Sequence, residues 1–344
     1  MKLVRTEDAV GQVLCHDITQ IIPGVVKDAV FRKGHIVTEE DIPVLLSVGK
    51  ENLYIWEKQE GMLHENEAAE ILRQICQGEH MHPSEVKEGK IELIADCEGV
   101  LKINTEKLNA VNNLGEMMIA SRHGNFPVKT GDKIAGTRII PLVIEEEKMQ
   151  KACEVAGKEP IFRILPYQKK KAGIVTTGSE VYYHRIEDKF TPVVIEKLKE
   201  CGVTEVKQIQ CNDDHEMIME AIQTLIEDGS DLIVCTGGMS VDPDDRTPLA
   251  IKNACTEVVT YGAPVLPGAM FMLAYCEKEG RQIPVMGLPG CVMYAKRTIF
   301  DLALPRLLAD DEITAEELAA LGEGGLCLNC PVCTYPNCGF GKGW

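Results

Sequence analysis

From Lys171 to about Ala309 the chain alternates short apolar runs with amphipathic stretches. AGIVTT, EVKQIQ, DLIVCT and IPVMGL are each short enough to read as strands. Between them, Phe190 to Cys201 places Val194 and Leu198 four residues apart and stops at Gly202, which predicts a helix. HEMIMEAIQTLIEDG, TPLAIKNAC and CVMYAKRTIFDLALPRLLA predict three more. A βαβ series of this kind predicts an α/β domain over 171–309, with a doubly wound, mostly parallel sheet.

The first half has a different rhythm. Residues 1–60 predict a small mixed unit, with short strands around a helix that starts near Thr38 and stops at Gly49. Residues 61–165 predict a connecting amphipathic helix over 64–77, then a strand-rich stretch (IELIAD, VLKIN, EMMIASR, KIAGTRIIPLVI) and a charged helix over 145–157. A turn-rich, cysteine-rich tail over 322–344 reads as a separate piece. The fold class is therefore α/β, preceded by smaller mixed α+β and strand-rich units.

Composition narrows the function classes. The 344 residues carry a net charge of −17, and only 5% are aromatic. Both argue against nucleic acid, which needs a basic face or a stacking platform. No apolar run approaches the roughly 18 residues of a spanning helix, and MKLVRTEDAVG lacks the apolar core of a signal peptide, so a cytoplasmic protein without a membrane partner is expected. The 14 cysteines then read as reduced thiols or metal ligands.

Three loops follow three predicted strands: Thr176-Thr177-Gly178-Ser179-Glu180, Thr236-Gly237-Gly238-Met239-Ser240 and Gly287-Leu288-Pro289-Gly290. Ordinary turn chemistry produces each of them alone. A parallel sheet sets all three at one edge, where ligands of such sheets sit and where backbone N–H groups can hold an anion. Asp242, Asp244 and Asp245 follow the second loop and suggest a Mg²⁺-bridged phosphate. Asp213 and Asp214 either cap the next helix or face the same crevice. Arg246, Lys296 and Arg297 are candidate phosphate partners, whereas Lys169-Lys170-Lys171 reads as a solvated linker. His123, His184 and His215 stand alone and read as ordinary surface or core residues.

TTGSE, the Asp213-Asp214 pair, DLIVCTGGMSVDPDDRTP and MGLPG, in this order, resemble the molybdopterin-binding domain of molybdenum cofactor biosynthesis. That domain is shared by molybdopterin adenylyltransferases and molybdotransferases, and the resemblance covers about 172–308. The layout with two preceding units is similar to the molybdotransferase type. The resemblance implies that Thr177, Gly178, Ser179, Glu180, Thr236, Gly237, Gly238, Ser240, Gly287, Pro289 and Gly290 bind the pterin. It implies catalytic positions at Asp213 and Asp245, with Asp242, Asp244 and Asp245 holding Mg²⁺. Molybdopterin is the implied ligand or substrate, molybdate or ATP/AMP the implied co-substrates, and a homo-oligomer the implied assembly. Ser179 stands where the family usually has Asp, and Ala269 where the Pro-Gly-Lys-Pro segment has its lysine. The reading is a molybdotransferase-like enzyme; a non-catalytic molybdopterin carrier or sensor is the alternative. A pyrophosphatase of the competence-damage type, which shares the domain, ranks third, because about 170 residues precede the domain here.

The tail places Cys327, Cys330, Cys333 and Cys338 within 12 residues. The C-x₂-C-x₂-C opening is similar to iron–sulfur ligation, with the fourth cysteine one residue later than in bacterial ferredoxins. Zn²⁺ is a second candidate, although zinc sites usually set two pairs apart, and an unmetallated flexible tail is the third.

Overall fold

The computed structural model describes residues 2–22, 26–55, 60–168 and 170–343, so Lys169 of the lysine run lies outside it. The chain divides into two compact units whose segments alternate along the sequence. Residues 1–94, 104–122 and 133–163 form the first; 95–103, 123–132 and 164–344 form the second.

In the first unit, strand Lys2–Arg5 pairs antiparallel with Asn52–Ile55. A short helix, Asp41–Ser47, packs Leu45 into a small core with Leu14, Ile18 and Leu53. That helix begins three residues after Thr38, because Asp41 accepts hydrogen bonds from the Thr38 N–H (2.8 Å) and hydroxyl (2.9 Å). Helix Glu65–Cys76 is capped by His64 and buries Ala68, Ala69 and Leu72. Strands Met81–Pro83, Ile91–Ala95, Lys133–Ile139 and Met117–Ser121 form one sheet, in that order. Helix Thr105–Asn112, for which the sequence carried little periodicity, starts on an Asn104 cap.

The second unit carries the predicted α/β domain. Its elements are β1 (Lys171–Thr176), α1 (Ser179–Tyr182), α2 (Phe190–Glu200), β2 (Glu205–Gln210), α3 (His215–Glu227), β3 (Leu232–Thr236), α4 (Thr247–Ala254), β4 (Glu257–Tyr261), β5 (Met272–Lys278), β6 (Arg281–Leu288), α5 (Ile299–Leu308) and α6 (Ala315–Ala320). The sheet order is β2-β1-β3-β6-β5-β4. The first four strands are parallel, and β5 and β4 continue antiparallel.

Period-two alternation builds two cores. Ile174, Leu232 and Val234 face a cluster with Val194 and Leu198 of α2 and Phe300 and Leu304 of α5. Val175, Ile233 and Cys235 face the other cluster, with Ile218, Ile222 and Leu225 of α3 and Ile251 of α4. A central strand covered on both sides has no polar face, which is why LIVC is continuously apolar.

Two differences from the sequence reading have clear causes. The helix expected over 291–309 spans only Ile299–Leu308, preceded by a 3₁₀ turn at Gly290–Met293. Thr298 caps it, its hydroxyl accepting from Phe300 N–H while Asp301 accepts from Thr298 N–H. The cysteine tail also lies in the compact unit of the α/β domain: Phe340 is in its core, and the N–H of Cys327 donates to Leu266 O at 2.8 Å.

Candidate functional site

The carboxyl ends of β1, β3 and β6 open onto a crevice of about 900 Å³. Thr177, Glu180, Thr236, Gly238, Pro289 and Gly290 line it, so the three loops read from sequence meet around one space.

The loops are tied together by threonines. Thr177 N–H donates to Thr236 O at 2.8 Å, and the Thr177 hydroxyl lies 3.1 Å from that of Thr247. Thr247, fully buried at the start of α4, donates to Gly237 O at 2.9 Å. The glycines between them are sterically required. Gly237 has φ +89°, and a Cβ there would sit 2.3 Å from Thr177 O; a Cβ on Gly238 (φ +56°) would meet Thr247 Oγ1 at 2.7 Å. Gly290 differs, since a Cβ there would meet nothing within 4 Å.

One polar atom on the crevice wall is unpaired. Thr236 is 1% exposed, and its hydroxyl has no hydrogen-bond partner among the described residues. A buried hydroxyl without a partner costs about 1–3 kcal/mol, so the position favours a ligand that offers it a hydrogen bond.

Asp213 is half-buried and accepts from Ser179 N–H at 2.8 Å, tying the end of β2 to the first loop. Asp214 caps α3 instead, accepting from Glu216 and Met217 N–H, both at 3.0 Å. Of the three aspartates after the second loop, Asp245 lines the crevice and accepts from Ser240 N–H at 2.7 Å. Asp242 and Asp244 are exposed, and Asp242 accepts from Asp244 N–H at 3.1 Å. Among the described residues no group of three His, Cys, Asp or Glu side chains is placed to hold a single metal ion, so these three are not gathered as a ligand set.

Several residues that line the crevice were missed in the sequence. Asp188 accepts from Phe190 N–H (2.9 Å), Thr191 N–H (3.0 Å) and Gln208 Nε2 (3.0 Å). Burial alone would raise its pKa, but these hydrogen bonds outweigh it and hold the carboxyl below its ordinary value. Lys189 also lines the crevice, beside Glu180, Glu187, Asp188 and Asp245. The signal available for Asp188 was its place just before a helix.

The expected basic partners lie elsewhere. Lys296 donates to Pro331 O at 3.1 Å, and Arg297 pairs with Asp301 at 2.8 Å and stacks 5.2 Å from the Tyr335 ring. Arg246 is exposed and is not among the residues lining the crevice. The four tail cysteines line a second cavity, of about 420 Å³, whose walls include Pro267 and Tyr294 of the crevice. No helix among the described residues is long and apolar enough to cross a membrane.

Residues 173–309 match a family profile described as "Probable molybdopterin binding domain", and residues 3–57 match one described as "Domain of unknown function (DUF8806)". A CinA-like protein of Mycobacterium sp. (strain MCS) is 35% identical over 85 residues, which is 25% of this chain and 20% of the relative. A CinA-like protein of Mycobacterium avium (strain 104) is 34% identical over 95 residues, 28% of this chain and 22% of the relative. The chain thus spans about a fifth of the length of the curated relatives it matches. Among solved structures, the molybdopterin biosynthesis enzyme MoaB of Thermus thermophilus overlaps 40% of this chain and 91% of its own, at 20% identity and TM-score 0.35. The tungsten cofactor synthesizing protein MoaB of Pyrococcus furiosus overlaps 36% of this chain and 84% of its own, at 22% identity and TM-score 0.32.

Proposed function

We propose that the α/β domain, which over residues 173–309 is of the molybdopterin-binding family, binds the phosphate-bearing pterin of molybdenum cofactor biosynthesis at its carboxyl-edge crevice. The observation that carries this reading is the buried, unpaired Thr236 hydroxyl beside two sterically required glycines, Gly237 and Gly238. Backbone N–H groups of the Gly237-Gly238 turn and the Thr236 hydroxyl hold the phosphate. Thr177 and Thr247 keep that cradle in shape, and Asp213 holds the first loop through Ser179.

Charge decides what else is needed. Four carboxylates and one lysine line the crevice, so an anion entering it meets net repulsion. A divalent cation such as Mg²⁺ would offset this by neutralising charge, and Asp245, which lines the crevice and accepts from Ser240 N–H, is the carboxylate that would help to hold it. Asp242 and Asp244 shape the loop. With charge neutralised and the ligand positioned, transfer chemistry at phosphorus, or molybdate insertion as in a molybdotransferase, needs no covalent nucleophile from the chain.

A second reading, binding without turnover as a carrier or sensor, is favoured by one observation. Ala269 and Met270 line the crevice where the resemblance expects a lysine. Calorimetry with molybdopterin, with and without Mg²⁺, tests the shared part; no binding by the wild-type chain would sink both readings. Complementation of a strain lacking the molybdotransferase then separates them, since rescue requires turnover.

A further inference from the structure

The tail is fastened at both ends and open in the middle. At its start, Leu266 N–H donates to Gly325 O and Cys327 N–H to Leu266 O, each at 2.8 Å. At its end, the Tyr335 hydroxyl donates to Asp301 O at 2.9 Å and Phe340 is 4% exposed. Gly341 (φ +76°) sits so close to Leu302 that a Cβ would approach its Cδ2 to 2.4 Å. The span between carries Leu328 and Val332, 78% and 75% exposed, and the exposed thiols of Cys330 and Cys333. Burial holds the ends of this segment, whereas its exposed centre is met by Lys296 at the carbonyls of Cys330 and Pro331.

All four tail cysteines nevertheless line one cavity, with the half-buried Cys327 and Cys338 joined there by Cys330 and Cys333. No three of these side chains are gathered to hold a single ion among the described residues, so a tetrahedral zinc, which draws four thiolates to about 2.3 Å, is not preformed here. The remaining wall is largely apolar, with Leu326, Leu328, Tyr335 and Phe340. Lys296 supplies the positive charge at its edge, donating to the carbonyls of Cys330 (3.4 Å) and Pro331 (3.1 Å), while Arg297, against Tyr335, is already paired with Asp301 and Glu200.

We propose that this cavity holds an iron–sulfur cluster ligated by Cys327, Cys330, Cys333 and Cys338. Four thiolates, an apolar shell and nearby positive charge are what such a cluster requires, because the thiolate-bound cluster is anionic and its stability depends on burial and surrounding charge. Each thiol loses its proton as its sulfur bonds to iron, displacing a ligand from an incoming preassembled cluster, and no electron is transferred. The cluster would adjoin the ligand crevice, since Pro267 and Tyr294 wall both spaces.

The test is metal analysis of the full chain after anaerobic purification and reconstitution with iron and sulfide. About four irons and about four acid-labile sulfides per chain are expected, with visible absorbance that bleaches on reduction by dithionite. Cys330→Ser with Cys333→Ser should lose both iron and sulfide, with circular dichroism matching the wild type because both side chains are exposed. Cys153→Ser, an exposed thiol of the other unit, should keep both. One zinc per chain without sulfide, neither metal, or iron retained in the double variant would overturn the proposal. Because the measurement uses ligand-free protein, its failure and the failure of pterin binding are separate results.

Discussion

The carboxylate of Asp213 accepts the backbone N–H of Ser179 at 2.8 Å, so the residue that follows β2 fixes the loop that follows β1. The bond spans neighbouring parallel strands and sets the angle at which TTGSE enters the crevice. Asp213→Ala removes the acceptor and frees the loop. A hydrogen bond to a charged group contributes about 1.5–3 kcal/mol; half-exposure reduces this, so a stability loss of about 1 kcal/mol is expected. Ligand affinity should fall by about tenfold, in line with a loss of about 1.4 kcal/mol. Asp213→Asn keeps an oxygen acceptor and should recover most of the affinity. Calorimetric titration of both variants checks this, and equal affinity in Asp213→Ala and wild type would remove the positioning role.

Gly237 and Gly290 make a sharper pair than either alone. Alanine at Gly237 places a Cβ 2.3 Å from Thr177 O in a φ +89° conformation, so the second loop must move. The strain should cost about 1–3 kcal/mol and abolish measurable ligand binding. Alanine at Gly290 meets open space and should leave the unfolding midpoint unchanged. Denaturant melts of the two variants decide it. Similar destabilisation at both sites would show that the glycine geometry is not what shapes the crevice.

What the sequence disclosed, and what it withheld, divides along a physical line. The three loops were legible because each joins a continuous apolar run to small, flexible residues, a local pattern with a local cause. The parallel core was legible for the same reason, through AGIV, DLIVC and IPVM. Thr247 was not, because its role depends on a partner far along the chain, Thr177. Asp188 was legible only as a helix cap for Phe190 and Thr191, not as a wall of the crevice. Strands β4 and β5, which pair antiparallel with each other and extend the sheet beyond β6, are not signalled between α4 and IPVM. The start of α5 was misplaced even though Thr298 and Asp301 formed a capping box in plain view. Apolar residues at Val292 and Ala295 extended the helical period past its true cap. The direction of Lys296 and Arg297, toward the tail rather than the crevice, lay beyond sequence reasoning altogether.

Asp301 is the charge on which the tail side of the domain rests. It is 7% exposed and accepts from Lys197 Nζ at 2.6 Å, Arg297 Nη1 at 2.8 Å and Thr298 N–H at 2.8 Å. Lys197 is itself 9% exposed. Removing one partner of a buried pair strands the other charge at a cost of about 3–5 kcal/mol. Asp301→Ala should therefore destabilise the second unit by that amount, seen as a lower urea midpoint. Asp301→Ala with Lys197→Met should recover part of the loss, because no lysine charge is then stranded. A double variant no more stable than Asp301→Ala would contradict the account.

His64 predicts how the first unit responds to acid. It is 1% exposed; Nε2 donates to Cys15 O at 2.8 Å, and Nδ1 accepts from Asn66 N–H at 3.2 Å and faces Lys33 Nζ at 3.0 Å. That arrangement requires a neutral ring, since a proton on Nδ1 would meet two donors. Burial first, opposed by the Cys15 hydrogen bond and supported by the Lys33 charge, lowers its pKa below the ordinary 6.5. The folded state then binds fewer protons than the unfolded state between the lowered pKa and 6.5. Stability is fully present above 6.5 and falls as the pH drops below it, until the folded ring protonates too. His16, lowered by burial and then by Lys50, acts in the same direction. Urea midpoints of the full chain should therefore decrease from pH 7.5 to pH 5.5. His64→Asn keeps a capping oxygen without the titration, so its midpoint should fall less over the same interval. An equal fall in wild type and variant would assign the acid sensitivity to other groups.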